Sequence, residues 1–274
     1  MEKHKTISGR IAAYPHILWT VMFIVMPLIF VIYFAFTTAG GDFTLDNIFA
    51  LKEHIHTFAL SVSLSVIATF FCFILGYPLA YIMSRSGKSG QKVLMMLIML
   101  PMWTNLLIRT YSMMAIMDDG GILNGILTSI GLNKVHLIGT KGAVIFGMAY
   151  DFFPYMVLPL YTAVSKIDKS LIEAASDLGC SHFKVLSRIV LPLSSSGIIS
   201  GVTMVFVPSI STFYISQKLG GGTFDLLGDT IERQFQNVNT YNTGAAISLI
   251  MMLLVLLSLW FMNRFAEPEG GNNR

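Results

Sequence analysis

Six stretches of this chain are long and apolar enough to cross a lipid bilayer, and five of them carry proline. A helix needs about 20 apolar residues in a row to span the hydrocarbon core. The stretches are 17–36 with Pro27, 58–83 with Pro78, 93–117 with Pro101 and Arg109, 142–164 with Asp151, Pro154 and Pro159, 189–216 with Pro192 and Pro208, and 243–262. Lipid offers the backbone no hydrogen bonds, so only helices or closed barrels traverse it, and each proline in a span needs local compensation. Overall 54% of the residues are apolar and 12% charged, against about 25% charged in soluble domains. That balance excludes a water-soluble enzyme, and it excludes a disordered chain, which needs low hydrophobicity. The fold expected is all-α and integral to the membrane, with six spans.

The charges that remain set an orientation. Segments 1–16, 84–92, 165–188 and 264–274 hold 12 of the 18 Lys and Arg residues; the alternate loops 37–57, 118–141 and 217–242 hold five. The positive-inside rule then places both termini in the cytoplasm. The net charge of +3 reflects this loop bias and gives no reason to invoke nucleic acid. The first stretch follows Lys3, Lys5 and Arg10 but exceeds a signal-peptide core of about 7–15 residues and lacks an A-x-A site, so it reads as an uncleaved anchor. Two cysteines, Cys72 and Cys180, make no disulfide framework. Gly197 and Gly201 form a small-xxx-small pair that permits close helix approach, and serines cluster nearby at Ser194, Ser195, Ser196 and Ser200.

No catalytic constellation is present. There is no P-loop, so the chain cannot hold ATP in that way, and no H-E-x-x-H, zinc-spaced cysteine–histidine set or G-x-S-x-G elbow occurs. His54 and His56 read as surface residues of an outer loop. Neither catalytic residues nor a metal site nor a cofactor of its own is expected, and transport is the simplest remaining class.

The longest inside connection, 166–192, carries the most information. Ser170 followed by Glu173 reads as a capping box, in which the serine and glutamate satisfy each other's backbone N–H groups. Leu171, Ile172, Ala174, Ala175 and Leu178 give an apolar face, and Gly179 suits a helix stop in the left-handed region. Ser181 is placed to cap a second helix through Phe183, Val185 and Leu186. The result is a helix–turn–helix on the cytoplasmic surface with apolar residues to cover.

Glu173-Ala174-Ala175, three residues, Gly179, nine residues, then Ile189-x-Leu191-Pro192 resembles the EAA signature of ABC-importer permeases of the MetI-like family. The resemblance implies that these seven residues form the coupling element that enters a cleft of a separate ATPase subunit, which binds the ATP. It divides the chain into an N-terminal part, 1–56, a MetI-like transmembrane domain, 57–262, and a tail, 263–274. The run Leu100 to Tyr111, with Pro101, Trp103, Thr104, Asn105 and Arg109, resembles the third span of spermidine/putrescine importer permeases. Leu158 to Tyr161, Pro208 to Tyr214 and Leu219-Gly220-Gly221 look like the same subfamily, and the N-terminal anchor with Trp103-Thr104-Asn105 resembles its B-type subunit. The resemblance implies an ATPase dimer, a second permease subunit, an extracytoplasmic polyamine-binding protein and a polyamine substrate.

A polyamine needs carboxylates, carbonyls or aromatic faces along its path; each cation–π contact contributes about 0.5–2 kcal/mol. Asp151, near the middle of the fourth stretch, is a candidate because an intramembrane carboxylate is costly to keep; the alternative is a buried structural partner for Arg109. Trp103, Tyr111, Phe213 and Tyr214 are candidate path-lining aromatics, with packing as the alternative for each. Arg109 would repel a polycation and is expected to pair with a carboxylate or cap carbonyls. The stretch 223–237 is expected to form a short outer helix. Rival functions are a permease for another small polar or cationic solute, a self-contained secondary transporter, a receptor or scaffold subunit, and a membrane enzyme. The absence of a clear internal repeat disfavours the second, and the missing constellation disfavours the last.

Overall fold

A computed structural model describes residues 7–266. The segments 1–6 and 267–274, on which part of the orientation argument rests, lie outside the described residues. Every named element is helical; the β pairing among the described residues amounts to one isolated bridge, Thr37 with Phe43. Four helices are long and apolar enough to cross a membrane unbroken, and two bent pairs bring the number to six if each pair is one span.

The elements used below are α1 (Tyr14–Ala35), α2 (Ile55–Arg85), α3 (Lys88–Met99), α4 (Leu106–Met117), α5 (Ile122–Ser129), α6 (Lys141–Ser165), α7 (Lys169–Asp177), α8 (His182–Leu193), α9 (Ser195–Ser211), α10 (Tyr214–Leu219), α11 (Leu227–Gln236) and α12 (Tyr241–Ala266). They fall into two compact units, 1–55 with 230–253, and 56–229 with 254–274.

In the first unit the C-terminal end of α1 leaves carbonyls without helical partners. Two side-chain amides supply donors. Asn242 Nδ2 donates to the carbonyls of Phe34 (3.0 Å) and Thr37 (2.6 Å), and Asn47 Nδ2 to those of Ala35 (3.3 Å) and Thr37 (2.9 Å). Ala35, Ala245 and Ala246, each fully buried, make the apolar contact, with the Phe34 and Tyr241 rings edge to face at 5.1 Å.

Pro27, Pro101 and Pro192 mark places where the helices deform, whereas Pro78, Pro154, Pro159 and Pro208 lie inside continuous α-helices. A proline in a helix lacks its N–H, and its ring collides with the carbonyl four residues back. Before Pro27 the chain widens into a π turn over Val21–Val25, closed by Met26 N–H to the Val21 carbonyl. Before Pro192 the same device appears over Leu186–Val190, closed by Leu191 N–H to Leu186. Each wide turn ends two residues short of the proline. Pro101 acts differently. It sits in a 3₁₀ turn, Leu100–Trp103, followed by extended Thr104.

The third and fifth stretches, which carry Pro101 and Pro192, are bent rather than straight. The chain turns by 93° between Trp103 and Leu106, and by 73° between Leu193 and Ser195. α4 has 12 residues, a length of about 18 Å at 1.5 Å per residue, which alone falls short of the hydrocarbon core. α11, Leu227–Gln236, occupies most of the stretch expected as a short outer helix.

In the second unit α6 and α9 pack closely through the two glycines noted in the sequence. A Cβ at Gly197 would strike the Ala163 side chain and the Pro159 carbonyl, and one at Gly201 would lie 2.7 Å from Met156 Sδ. Met83, Met148, Met156 and Leu160 are fully buried in the core of this unit. Tyr77 on α2 reaches the break before α9: its hydroxyl hydrogen-bonds the buried Ser194 hydroxyl at 2.8 Å. Cys72 is buried and Cys180 exposed, and both are free thiols.

Gly197→Val is expected to lower the stability of the second unit by about 1–3 kcal/mol through overpacking, read as an earlier thermal transition of the detergent-solubilised protein by size exclusion.

Candidate functional site

The loop after α6 forms as the sequence proposed, with one change of cap. α7 is capped by Asp168, whose carboxylate accepts from the Ser170 N–H at 3.0 Å. The capping box of Ser170 with Glu173 is not made, because Asp168 starts the helix one position before Lys169 and takes the amide itself. That hydrogen bond holds the Asp168 carboxyl below its usual range. Ser181 stands at the N-cap of α8 without a side-chain cap bond.

Gly179 closes α7 at φ +78°, in the left-handed region. Gly179 N–H bonds the Ser176 carbonyl at 2.9 Å and Cys180 N–H the Ala175 carbonyl at 3.1 Å. These two bonds are the Schellman pattern, which satisfies orphan carbonyls at a helix end. The bend divides the apolar residues between two faces. Ala175, Val185, Ile172, Leu186 and Ile189 pack onto the body of the second unit. Leu171, Leu178 and Phe183 face outward, Leu178 at 85% and Phe183 at 78% exposure, alongside exposed Glu173 and Ala174. Leu191 and Pro192 follow the π turn and are also exposed. The loop thus carries one apolar face seated on its own chain and a second left open.

Within the membrane-spanning part, Arg109 on α4 and Asp151 in the middle of α6 form an ion pair at 3.2 Å, with side chains 12% and 1% exposed. Asp151 Oδ2 and Arg109 Nε have no hydrogen-bond partner among the described residues. The carboxylate therefore faces the cation that the sequence offered as its structural partner. Trp103 is 73% exposed at the elbow between α3 and α4, and Phe213 is 41% exposed just before α10.

Two of the candidate aromatics meet. The rings of Tyr111 on α4 and Tyr214 on α10 pack edge to face, centroids 6.0 Å apart at 80°. Lys218, one turn further along α10, places its Nζ 5.2 Å from the Tyr111 centroid and 5.7 Å from that of Tyr214. Sequence reasoning passed over Lys218. Its i+4 spacing from Tyr214 was the available signal, since such pairs share a helix face.

Elsewhere, a cavity of about 720 Å³ between α2, α3 and α6 is lined by apolar and aromatic side chains, among them Phe71, Leu75, Leu97, Phe146 and Tyr150, with no charged group.

The fold is that of a multi-pass membrane protein, and comparison with known proteins places it among the permeases of ABC importers. The chain belongs to the family described as binding-protein-dependent transport system inner membrane component, whose pattern matches residues 73–267. It is 36% identical to the spermidine/putrescine transport system permease protein PotB of Escherichia coli (strain K12), over 92% of this chain and 96% of that one. Identity to the protein of the same name from Haemophilus influenzae (strain ATCC 51907 / DSM 11121 / KW20 / Rd) is 35%, over 92% and 94%. Among solved structures, a chain of a bacterial alginate ABC transporter in complex with an alginate pentasaccharide-bound periplasmic protein superposes with a TM-score of 0.80 at 19% identity, covering 94% of this chain and 93% of that one. At that identity the likeness concerns the fold.

Asp151→Leu, which strands Arg109 in apolar surroundings, is expected to destabilise the protein by about 3–5 kcal/mol. The double variant Arg109→Met, Asp151→Leu is expected to recover most of it, checked by a double-mutant cycle on thermal unfolding.

Proposed function

We propose that this chain is a permease subunit of a polyamine importer driven by ATP, forming half of the translocation pathway beside a second permease. The observation that carries the reading is the similarity to spermidine/putrescine permeases along nearly the whole length of both chains. Both termini lie in the cytoplasm in this reading, as the loop charges require. An extracytoplasmic binding protein delivers the substrate, and a dimer of separate ATPase subunits supplies the energy.

Coupling runs through residues 166–192. Ordinary soluble surfaces carry large apolar side chains singly, so a cluster presented on a tight bend marks an interaction site. Leu171, Leu178 and Phe183 enter the ATPase cleft, with Glu173 and Ala174 on the same open side. Ala175, Ile189 and the chain leading to Leu191 and Pro192 tie that side to the body of the permease. Gly179 fixes the angle between the two helices. When the ATPase dimer closes, the push on α7 passes through α8 to the break at Ser194, where Tyr77 of α2 is hydrogen-bonded. The chain itself binds no nucleotide and does no chemistry.

For the path we assign Trp103, Tyr111, Phe213 and Tyr214 as aromatic faces for an ammonium group. Asp151 is ion-paired with Arg109, and neither of its carboxylate oxygens has a hydrogen-bond partner among the described residues.

The direct experiment is uptake of labelled spermidine and putrescine by a strain deleted for this gene, with and without the gene restored. Restored uptake is expected; uptake independent of the gene overturns the reading. Gly179→Val imposes a side chain on left-handed backbone at about 1–2 kcal/mol, which lowers the docking-competent fraction roughly five- to thirtyfold. Reconstituted complexes are expected to hydrolyse ATP with correspondingly less substrate moved; normal coupling would refute the loop's role. Asp151→Asn, which keeps a carbonyl acceptor for Arg109, is expected to lower uptake with assembly intact. Unchanged uptake kinetics would leave Asp151 a strut only.

A further inference from the structure

The Tyr111–Tyr214 rings meet edge to face, and an ammonium already lies close to both. Lys218 Nζ lies within 6 Å of both centroids, the range in which a cation is attracted by the ring quadrupole. The three side chains come from two helices, α4 and α10, so their meeting is a product of the fold and not of local sequence. Tyr111 is 46% exposed, and Tyr214 and Lys218 are partly exposed, so the point is open to a ligand.

The chemistry of the occupant is informative. A lysine side chain beyond its Cα is four methylenes ending in an ammonium, the same fragment as an aminobutyl end of a linear polyamine. We propose that Tyr111 and Tyr214 form a binding site for a primary alkylammonium group, and that Lys218 is a built-in occupant which the ligand's aminobutyl end displaces. The identification of the ligand as a polyamine rests on the function proposed above; the alkylammonium site does not.

The arrangement has a physical use. With the site self-occupied, the rings are shielded from stray cations, and a second positive charge entering nearby is repelled. A ligand bearing several ammonium groups replaces the lost contact and keeps further charges to engage elsewhere. A monovalent cation such as sodium lacks the apolar stem that packs along the rings. Lys218, once displaced, swings away on a flexible stem, and its departure exposes both ring faces together. Self-occupation reduces apparent affinity by the fraction of molecules in which the site is free.

The test uses the full importer complex in lipid nanodiscs, with n-butylammonium chloride as the probe and butanol as the uncharged control. Lys218→Met keeps a stem of similar length and removes the ammonium. It is expected to bind butylammonium more tightly than the wild type, roughly tenfold if self-occupation is about nine-tenths. Adding Tyr111→Leu or Tyr214→Leu to that variant is expected to weaken binding about two- to fivefold for each ring lost. Butanol is expected to show neither trend. Equal butylammonium affinity in wild type and Lys218→Met, or affinity in Lys218→Met that survives loss of both rings, overturns the proposal. Labelled-spermidine uptake by the wild-type complex is measured in parallel. Its absence refutes the polyamine reading alone, while the butylammonium series still decides the site.

Discussion

In hydrocarbon a backbone carbonyl has no solvent to turn to, and this one constraint organises the helices of the chain. Each proline removes a donor and pushes a carbonyl aside. At Pro27, Pro101 and Pro192 the chain answers in two ways. It widens the turn ahead of Pro27 and Pro192, so that N–H groups reach carbonyls five residues back. Around Pro101 it abandons the helix, with Thr104 extended and the Asn105 side chain accepting from Leu107 N–H at 2.7 Å to start α4 afresh. At the end of α1 the answer comes from elsewhere in the same unit, in the amides of Asn47 and Asn242. Where the backbone bends follows from where its hydrogen bonds are satisfied.

The same accounting explains the polar groups inside the second unit. Arg109 and Asp151 neutralise each other across α4 and α6. Tyr77 and Ser194 pair across α2 and the break before α9. Ser61 on α2 accepts from the Leu227 N–H at the start of α11, at 2.8 Å. Each joins helices distant in sequence, and each gives direction to contacts that apolar packing alone leaves free to slide. The glycines of α9 add closeness.

Much of this was legible in the sequence, for reasons that differ by element. Hydrophobic length reports membrane helices directly, so the unbroken spans appeared with near-correct ends. Gly179 was readable because only a short list of residues tolerates its backbone, and the Gly197–Gly201 pair because spacing alone places both on one face. The breaks at 103–106 and 193–195 were not, since a run of apolar residues looks the same straight or bent; Pro101 and Pro192 marked them without giving an angle. The capping residue of α7 was misjudged between two adequate caps, Asp168 and Ser170, two residues apart. In the candidate site, the Arg109–Asp151 pairing was foreseeable as two lone charges in apolar spans, whereas the meeting of Tyr111, Tyr214 and Lys218 depends on how α10 returns to α4, which no local pattern encodes.

The π turn ahead of Pro192 fixes the geometry of the loop 166–192. One additional residue in a helical turn rotates everything before it by about 100° about the helix axis relative to an uninterrupted α-helix. The azimuth at which α8 points Phe183 outward and Val185 inward is thus set by a proline some seven residues downstream. The fixed interval from Gly179 to Pro192 acts as a rotational key: a chain of equal length but without the wide turn would turn a different side of α8 outward.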